Sequence, residues 1–250
     1  MANSQTRLFW TILSLGGFCL IWAGIAFALQ SRVLPGPWEV WQAYLHESAN
    51  NNYWWHMGAT LARVAAAFLL SMVIGTAIGI ALGRSDRTDR FFGGWLTLFL
   101  NLPALVTMIL CYVWFGLTEV AAIAAVAINK IPNVAATIRE GTRALNRDLA
   151  EMAQVYQLSP SQRLRHVILP QLAPFFAVAA RNGLALVWKI VLVVELLGRS
   201  SGVGFQLHTY FQLFDVAAIL AYAFGFILIV QAIELGILEP WERYVTRWRR

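Results

Sequence analysis

The sequence predicts an all-α integral membrane protein with six transmembrane helices and both termini in the cytoplasm, and three observations predict it. Of its 250 residues, 59% are hydrophobic and only 13% charged, whereas soluble domains run nearer about 45–50% apolar and about 25% charged. Six stretches, at 8–29, 60–83, 91–115, 120–138, 172–197 and 213–238, each supply the roughly 20 mostly apolar residues that a spanning helix needs. Basic residues then gather on one side of those spans. Arg7, the trio Arg84, Arg87 and Arg90, the group Arg139, Arg143, Arg147, Arg163 and Arg165, and the C-terminal Arg243, Arg247, Arg249 and Arg250 share a side. Arg32 and Arg199 face the other. The positive-inside rule makes the first side cytoplasmic. The net charge of +6 is thus a membrane signature that requires no nucleic acid, and the tail "RYVTRWRR" suits anionic lipid headgroups.

The first span, "LFWTILSLGGFCLIWAGIAFAL", exceeds the 7–15 apolar residues of a secretory signal and is followed by no A-x-A site, so it reads as retained. After it comes "QSRVLPGPWEVWQAYLHESANNNYWWHM", whose tryptophans fit an interfacial segment outside the membrane. Residues 1–57 are accordingly expected to form a first helix plus outer segment, and 58–250 a five-helix core. The second span carries "GTAIGIALG", which puts Gly75, Gly79 and Gly83 on one helix face, a spacing that lets backbones approach closely. Pro103 and Pro132 interrupt the third and fourth spans, either as kinks or as breaks lining a cavity. Cys19 and Cys111 fall inside spans, with neither disulfide nor metal-ligand spacing, and read as small buried hydrophobes.

The loop from 139 to 171 is too long for a connector. Asp148 and Glu151 form a D-x-x-E start signal, and Leu149, Met152, Ala153 and Tyr156 recur at helical spacing, which predicts a short amphipathic helix. Ser159, Pro160 and Gln162 repeat the start signal, Leu164, Val167 and Ile168 supply a second stripe, and Pro170 is expected to end the pair. The second stripe can pack on the spans. The first helix and the turn at Gln157-Leu158 project without a partner in this chain, which suggests a helix-in-groove contact with a cytoplasmic protein.

Ionisable groups at membrane depth are functional candidates because a charge there costs at least about 2.5–3.5 kcal/mol. Arg63 either anchors at the outer interface or lines a pathway. Lys130 is expected to reach the cytoplasmic surface along its stem, and Arg181 to be a packed or paired charge. Lys189, beside Trp188, is too deep to reach water easily, so it either makes a structural ion pair or faces a pathway that attracts anions. Glu195 and Asp215 also qualify by position. No G-x-x-x-x-G-K-[ST] or H-E-x-x-H occurs, and His46, His56, His166 and His208 are scattered. The chain therefore carries no ATPase, metal or catalytic motif.

The spacing of Glu151, Ala153, Val167, Leu169 and Pro170 resembles the "EAA" loop of permease subunits in ATP-binding-cassette (ABC) importers. "LPGPWEVWQAY", "TLARVAAAF", "VWFGLTE" and "LALVWKIVLVVELLGRSSGVGFQL" are similar, in order and spacing, to segments of the nitrate, sulfonate, taurine and bicarbonate importer group. The resemblance covers roughly residues 34–240. It implies a bacterial inner-membrane permease subunit that moves a small anion, with pyrimidine vitamin precursors or aromatic acids as alternatives. Its implied partners are two cytoplasmic ATPase subunits that bind ATP and Mg, a second permease copy, and a periplasmic solute-binding protein; this chain itself would bind no cofactor. Docking would fall to Glu151, Met152, Ala153, Tyr156, Gln157, Leu158 and Ser159. Glu195 resembles a glutamate common in the group, with a structural or gating role. Three residues depart from the pattern. Gln157 stands where glycine is usual, which puts the turn's shape in question; Met152 replaces an alanine; Asn101 replaces a common proline. The rival classes are a secondary transporter or channel, whose transport would survive without an ATPase, and a membrane enzyme, for which no catalytic cluster is found.

Overall fold

A computed structural model describes residues 4–31, 33–50 and 52–247; Arg32, Arg249 and Arg250 of the charge count lie outside the described residues. The described regular structure is helical throughout. Helices α1 (Ser4–Leu29) and α2 (Pro37–Asn50) lead into α3 (Tyr53–Arg84), which starts before the span predicted at 60. Its extra turns carry Tyr53, Trp54, Trp55 and His56, residues suited to the membrane boundary. Among the described residues, four helices are long and apolar enough to cross a membrane: α3, α6 (Glu119–Arg143), and the helices running through Pro160–Gly198 and Val216–Val245. Helices α4 (Asp86–Leu100) and α5 (Ala104–Phe115) make a fifth if counted as one span. In α1 the apolar part, Leu13–Leu29, is shorter.

The predicted third span at 91–115 is not straight, because α4 and α5 meet at 93°. Pro103 has no N–H and disfavours helical geometry at the residue before it. Asn101 closes α4 first: its N–H donates to Leu98 O at 3.1 Å, the next N–H, of Leu102, donates to Phe99 O at 3.4 Å, and the Asn101 side-chain Nδ2 donates to Thr97 O at 2.7 Å. Pro132, by contrast, lies inside a continuous α6.

Helices α3 and α6 form the most extensive pair, and the glycine face explains how closely they lie. A Cβ at Gly75 would fall 2.6 Å from Val134 Cβ, one at Gly79 2.7 Å from Ala135 O, and one at Gly83 2.5 Å from Thr142 Cβ. The main core lies among α3, α5, α6, α9 (Leu169–Gly198), α10 (Val203–Gln212) and α11 (Val216–Ile233), around Met57, Val64, Met108, Val126, Val187, Val191 and Phe226.

The 139–171 loop folds as α7 (Arg147–Val155) and α8 (Pro160–Arg163). The cap of α7 is Asn146 rather than Asp148: Asn146 Oδ1 accepts from the N–H groups of Asp148 and Leu149, at 2.7 and 3.4 Å. Asp148 sits instead in the first turn, where the helix dipole favours a negative charge. Ser159 and Gln162 form a reciprocal capping box at α8. Pro170 does not end the pair, since the helix continues unbroken into α9 through a π turn at Leu164–Ile168. That turn is closed by Leu169 N–H bonding to Leu164 O. Its wider ring relieves the clash a proline ring makes with the preceding turn. The same device, a π turn at Glu234–Leu238, precedes Pro240 at the start of α12 (Glu239–Thr246).

Candidate functional sites at the two ends of the helices

At the Tyr53 end of α3 one polar network, largely buried, joins α3, α6, α9 and the loop into α10. Arg63 lies in α3, 6% exposed. Its Nε and Nη2 donate to the two oxygens of Glu119 at 2.8 and 2.7 Å. Nη1 donates to Glu195 Oε1 at 2.6 Å and to Ser201 O at 2.7 Å, and Nη2 to Ser201 Oγ at 2.7 Å. Glu195, fully buried, also accepts at Oε2 from Thr60 Oγ1 (2.8 Å) and Gly204 N (2.9 Å). Thr60 Oγ1 in turn accepts from Val203 N at 2.8 Å, and His56 Nδ1 from Gly202 N at 3.0 Å. Arg199 donates to Glu119 at 2.6 Å and to Leu117 O. Gly202, at φ +114°, takes a backbone shape open to few other residues, and a Cβ there would strike the Glu195 carboxylate.

Two like charges beside one guanidinium satisfy it from both sides, and the hydrogen bonds to Thr60 and Gly204 meet the remaining oxygen of Glu195. A buried ion pair is tolerated only on such terms. The residues sequence reasoning singled out here were Arg63 and Glu195. Glu119, Thr60, Ser201, Arg199 and His56 were missed. Glu119 and Ser201 lie between the predicted spans, and their partner is 56 and 138 positions away, beyond any local pattern.

The other deep charges are placed differently. Lys130 does not reach the cytoplasmic surface; it is 2% exposed and lies against α9, where a Cβ at Gly183 would fall 2.7 Å from its Cε. Asp215 is the N-cap of α11 and accepts from Ala218 N at 3.0 Å. Arg181 pairs across to Glu242 at 2.8 Å. Trp188 is buried in the core, edge-on to Phe226. Lys189 is exposed and borders a cavity of about 310 Å³ between α9 and α11, with Arg181, Leu192 and Phe226 on the same wall. It makes no ion pair with a described residue.

At the opposite end of the helices, Gln157 takes the left-handed conformation itself, with φ 50°. Its N–H bonds to Gln154 O and that of Leu158 to Ala153 O, both at 3.0 Å, so the turn has the glycine-type Schellman shape despite the departure. Ala153 is buried beneath it, whereas Leu149, Glu151, Met152, Tyr156 and Gln157 are exposed and Leu158 and Ser159 stand at the tip. Val155, at 78%, and Tyr156, at 74%, are the most open apolar side chains of the loop. The loop is held to the spans by Gln171, which accepts from Asn146 N and donates to Val167 O, both at 2.8 Å. Asp89 of α4 bonds Arg139 and Arg143 of α6 at 3.2 and 2.6 Å.

Residues 71–236 match the family model described as "binding-protein-dependent transport system inner membrane component". The chain belongs to this family. Among its relatives, SsuC of Escherichia coli strain K12, a permease named for aliphatic sulfonates transport, is 30% identical over 177 residues, 71% of this chain and 67% of that one. The taurine transport system permease TauC of the same strain is 26% identical, over 86% of this chain and 80% of its own. The bicarbonate transport system permease CmpB of Synechococcus elongatus is 23% identical, over 93% and 86%. The fold is shared with a chain of the MetNI methionine ABC transporter (TM-score 0.66, 18% identity, 78% of this chain and 99% of that one). A chain of an amino acid ABC transporter gives 0.64, with 19% identity and 79% and 95% covered. The protein is a membrane-embedded permease subunit of an ABC importer, a transport component rather than an enzyme.

Proposed function

We propose that this permease forms the pathway for a small oxyanion, a sulfonate or bicarbonate being the nearest chemistries, and that its ATPase docks on α7. The observation that carries the docking is the tip of α7, where Met152, Val155 and Tyr156 stand exposed beside a rigid, doubly bonded turn. Apolar side chains held so far out of the core are the signature of a helix that fits a groove on a partner. The partner ATPase, present in two copies, binds ATP and Mg; a periplasmic binding protein delivers the solute; and a second permease copy completes the pathway in the bacterial inner membrane, with both termini inside. In this reading residues 1–57 are the accessory helix and outer segment, and 58–250 the transport core.

The anion reading is supported by the relatives named for sulfonates, taurine and bicarbonate and by Lys189, an exposed cation at membrane depth beside an open cavity. Such a charge attracts anions most strongly where the dielectric is low. Closure of the ATPases then moves α7, and the spans rock between outward-facing and inward-facing states by the difference in partner affinity for the two. Reconstitution with the ATPase and binding protein is expected to give accumulation of radiolabelled taurine or bicarbonate only with ATP inside the vesicle-equivalent cytoplasmic face, reduced at least about tenfold in Lys189→Gln. Accumulation that persists without the ATPase would assign the chain to the secondary transporters instead.

A further inference from the structure

Between α7, α8 and the inner ends of α3 and α6 lies a cavity of about 570 Å³ whose wall carries Arg84, Arg143, Arg147 and Arg163 against one acidic residue, Asp86. Arg143 is compensated by Asp89 at 2.6 Å. The side chains of Arg84, Arg147 and Arg163 make no hydrogen bond or ion pair with a described residue, and Arg163 Nε is buried without a partner. Three uncompensated guanidiniums around one cavity repel each other, and a buried N–H left unpaired is unfavourable. Both are relieved by the same thing, a multivalent anion.

We infer that this cavity binds a phosphate-bearing anion. Guanidinium forks match phosphate oxygens in pairs, and the space exceeds what one phosphate group fills, leaving room for the substituents of a phosphodiester. Gly83 and Thr142, where the close packing of α3 on α6 ends, border the cavity, which puts it at headgroup level on the side that the orientation proposed above makes cytoplasmic. Two sources share this chemistry: an anionic phospholipid of the inner leaflet and soluble phosphate. Either would tie Arg84 of α3 to Arg147 of α7 and Arg163 of α8, stiffening the connection between the docking helix and the spans.

The test uses the permease purified with its ATPase, and reads its melting temperature during titration with inorganic phosphate in detergent and in nanodiscs of phosphatidylglycerol against phosphatidylcholine. At least one probe is expected to raise the wild-type value by about 2 °C or more. Arg84→Gln/Arg163→Gln removes the rise, Arg84→Lys/Arg163→Lys restores part of it, and Arg90→Gln, a residue off the cavity wall, leaves it intact. A rise with phosphatidylglycerol alone identifies a lipid headgroup, and one with phosphate identifies the soluble ion. Should the double variant fail to fold, Arg147→Gln takes its place. Equal responses of wild type and variant, or none to either probe, overturn the site. Because melting is read without transport, failure of the proposed transport function leaves this outcome independent.

Discussion

Arg63 places all its donors at once. A guanidinium has five N–H groups, and the five hydrogen bonds to Glu119, Glu195 and Ser201 occupy them. An ammonium can make three at most, and its point charge lacks the fork that meets Glu119 through two atoms. Arg63→Ala leaves the Glu195 carboxyl buried without its counter-ion, so it is expected to destabilise the folded state by about 3–5 kcal/mol, and Arg63→Lys to recover little of that. Thermal unfolding in detergent checks both; a lysine variant as stable as wild type would show that charge alone, not donor geometry, holds this network together. That a deep arginine and glutamate mattered was legible from the cost of placing them in a bilayer. That they met was not, because nothing local in "TLARVAAAF" or "VVELLG" encodes a pairing 132 positions apart.

At the scale of single elements, the glycine face of α3 and the turn after α7 make opposite demands on one residue type. Gly79→Ala puts a methyl group 2.7 Å from Ala135 O and 2.8 Å from Ile138 Cβ, which should force α3 off α6 and destabilise by about 1–3 kcal/mol. Gly94→Ala, with nothing within 4 Å of the new atom, should instead stabilise by up to about 1 kcal/mol through helix propensity. The pair is checked by melting temperature, and similar effects at both positions would contradict the close-packing account. Gln157 is a non-glycine residue in a left-handed turn, so Gln157→Gly is expected to stabilise by about 1 kcal/mol without loss of ATPase binding. Reduced binding would mean that the Gln157 side chain, not just the turn, is part of the interface. The capping box at Ser159 could be read directly, since Ser159 and Gln162 stand three positions apart in sequence. The cap at Asn146 and the passage of the helix through Pro170 could not, because one depends on which of two neighbouring polar residues folds back and the other on a π turn that has no composition of its own.

For the molecule as a whole, the class was legible in the composition and the long apolar runs, and the helices of the core fall close to the predicted spans. The exception is 91–115, where hydropathy saw one continuous apolar run and the backbone turns through 93° at Asn101, Leu102 and Pro103. Hydropathy measures solvent preference, and a re-oriented pair of apolar helices satisfies it as well as a straight one. The proposed coupling of this molecule to its energy source rests on α7, and the most direct measurement is co-purification of the tagged chain from its native membrane with identification of bound proteins by mass spectrometry. Wild type is expected to retain a nucleotide-binding ATPase. Val155→Asp/Tyr156→Asp, which alters only exposed side chains, should lose it by at least about tenfold, equivalent to about 1.4 kcal/mol, while keeping its melting temperature, and Glu151→Ala should weaken it. An ATPase retained equally by wild type and by the double variant, or absent from both, would contradict the assignment of α7 as the docking helix.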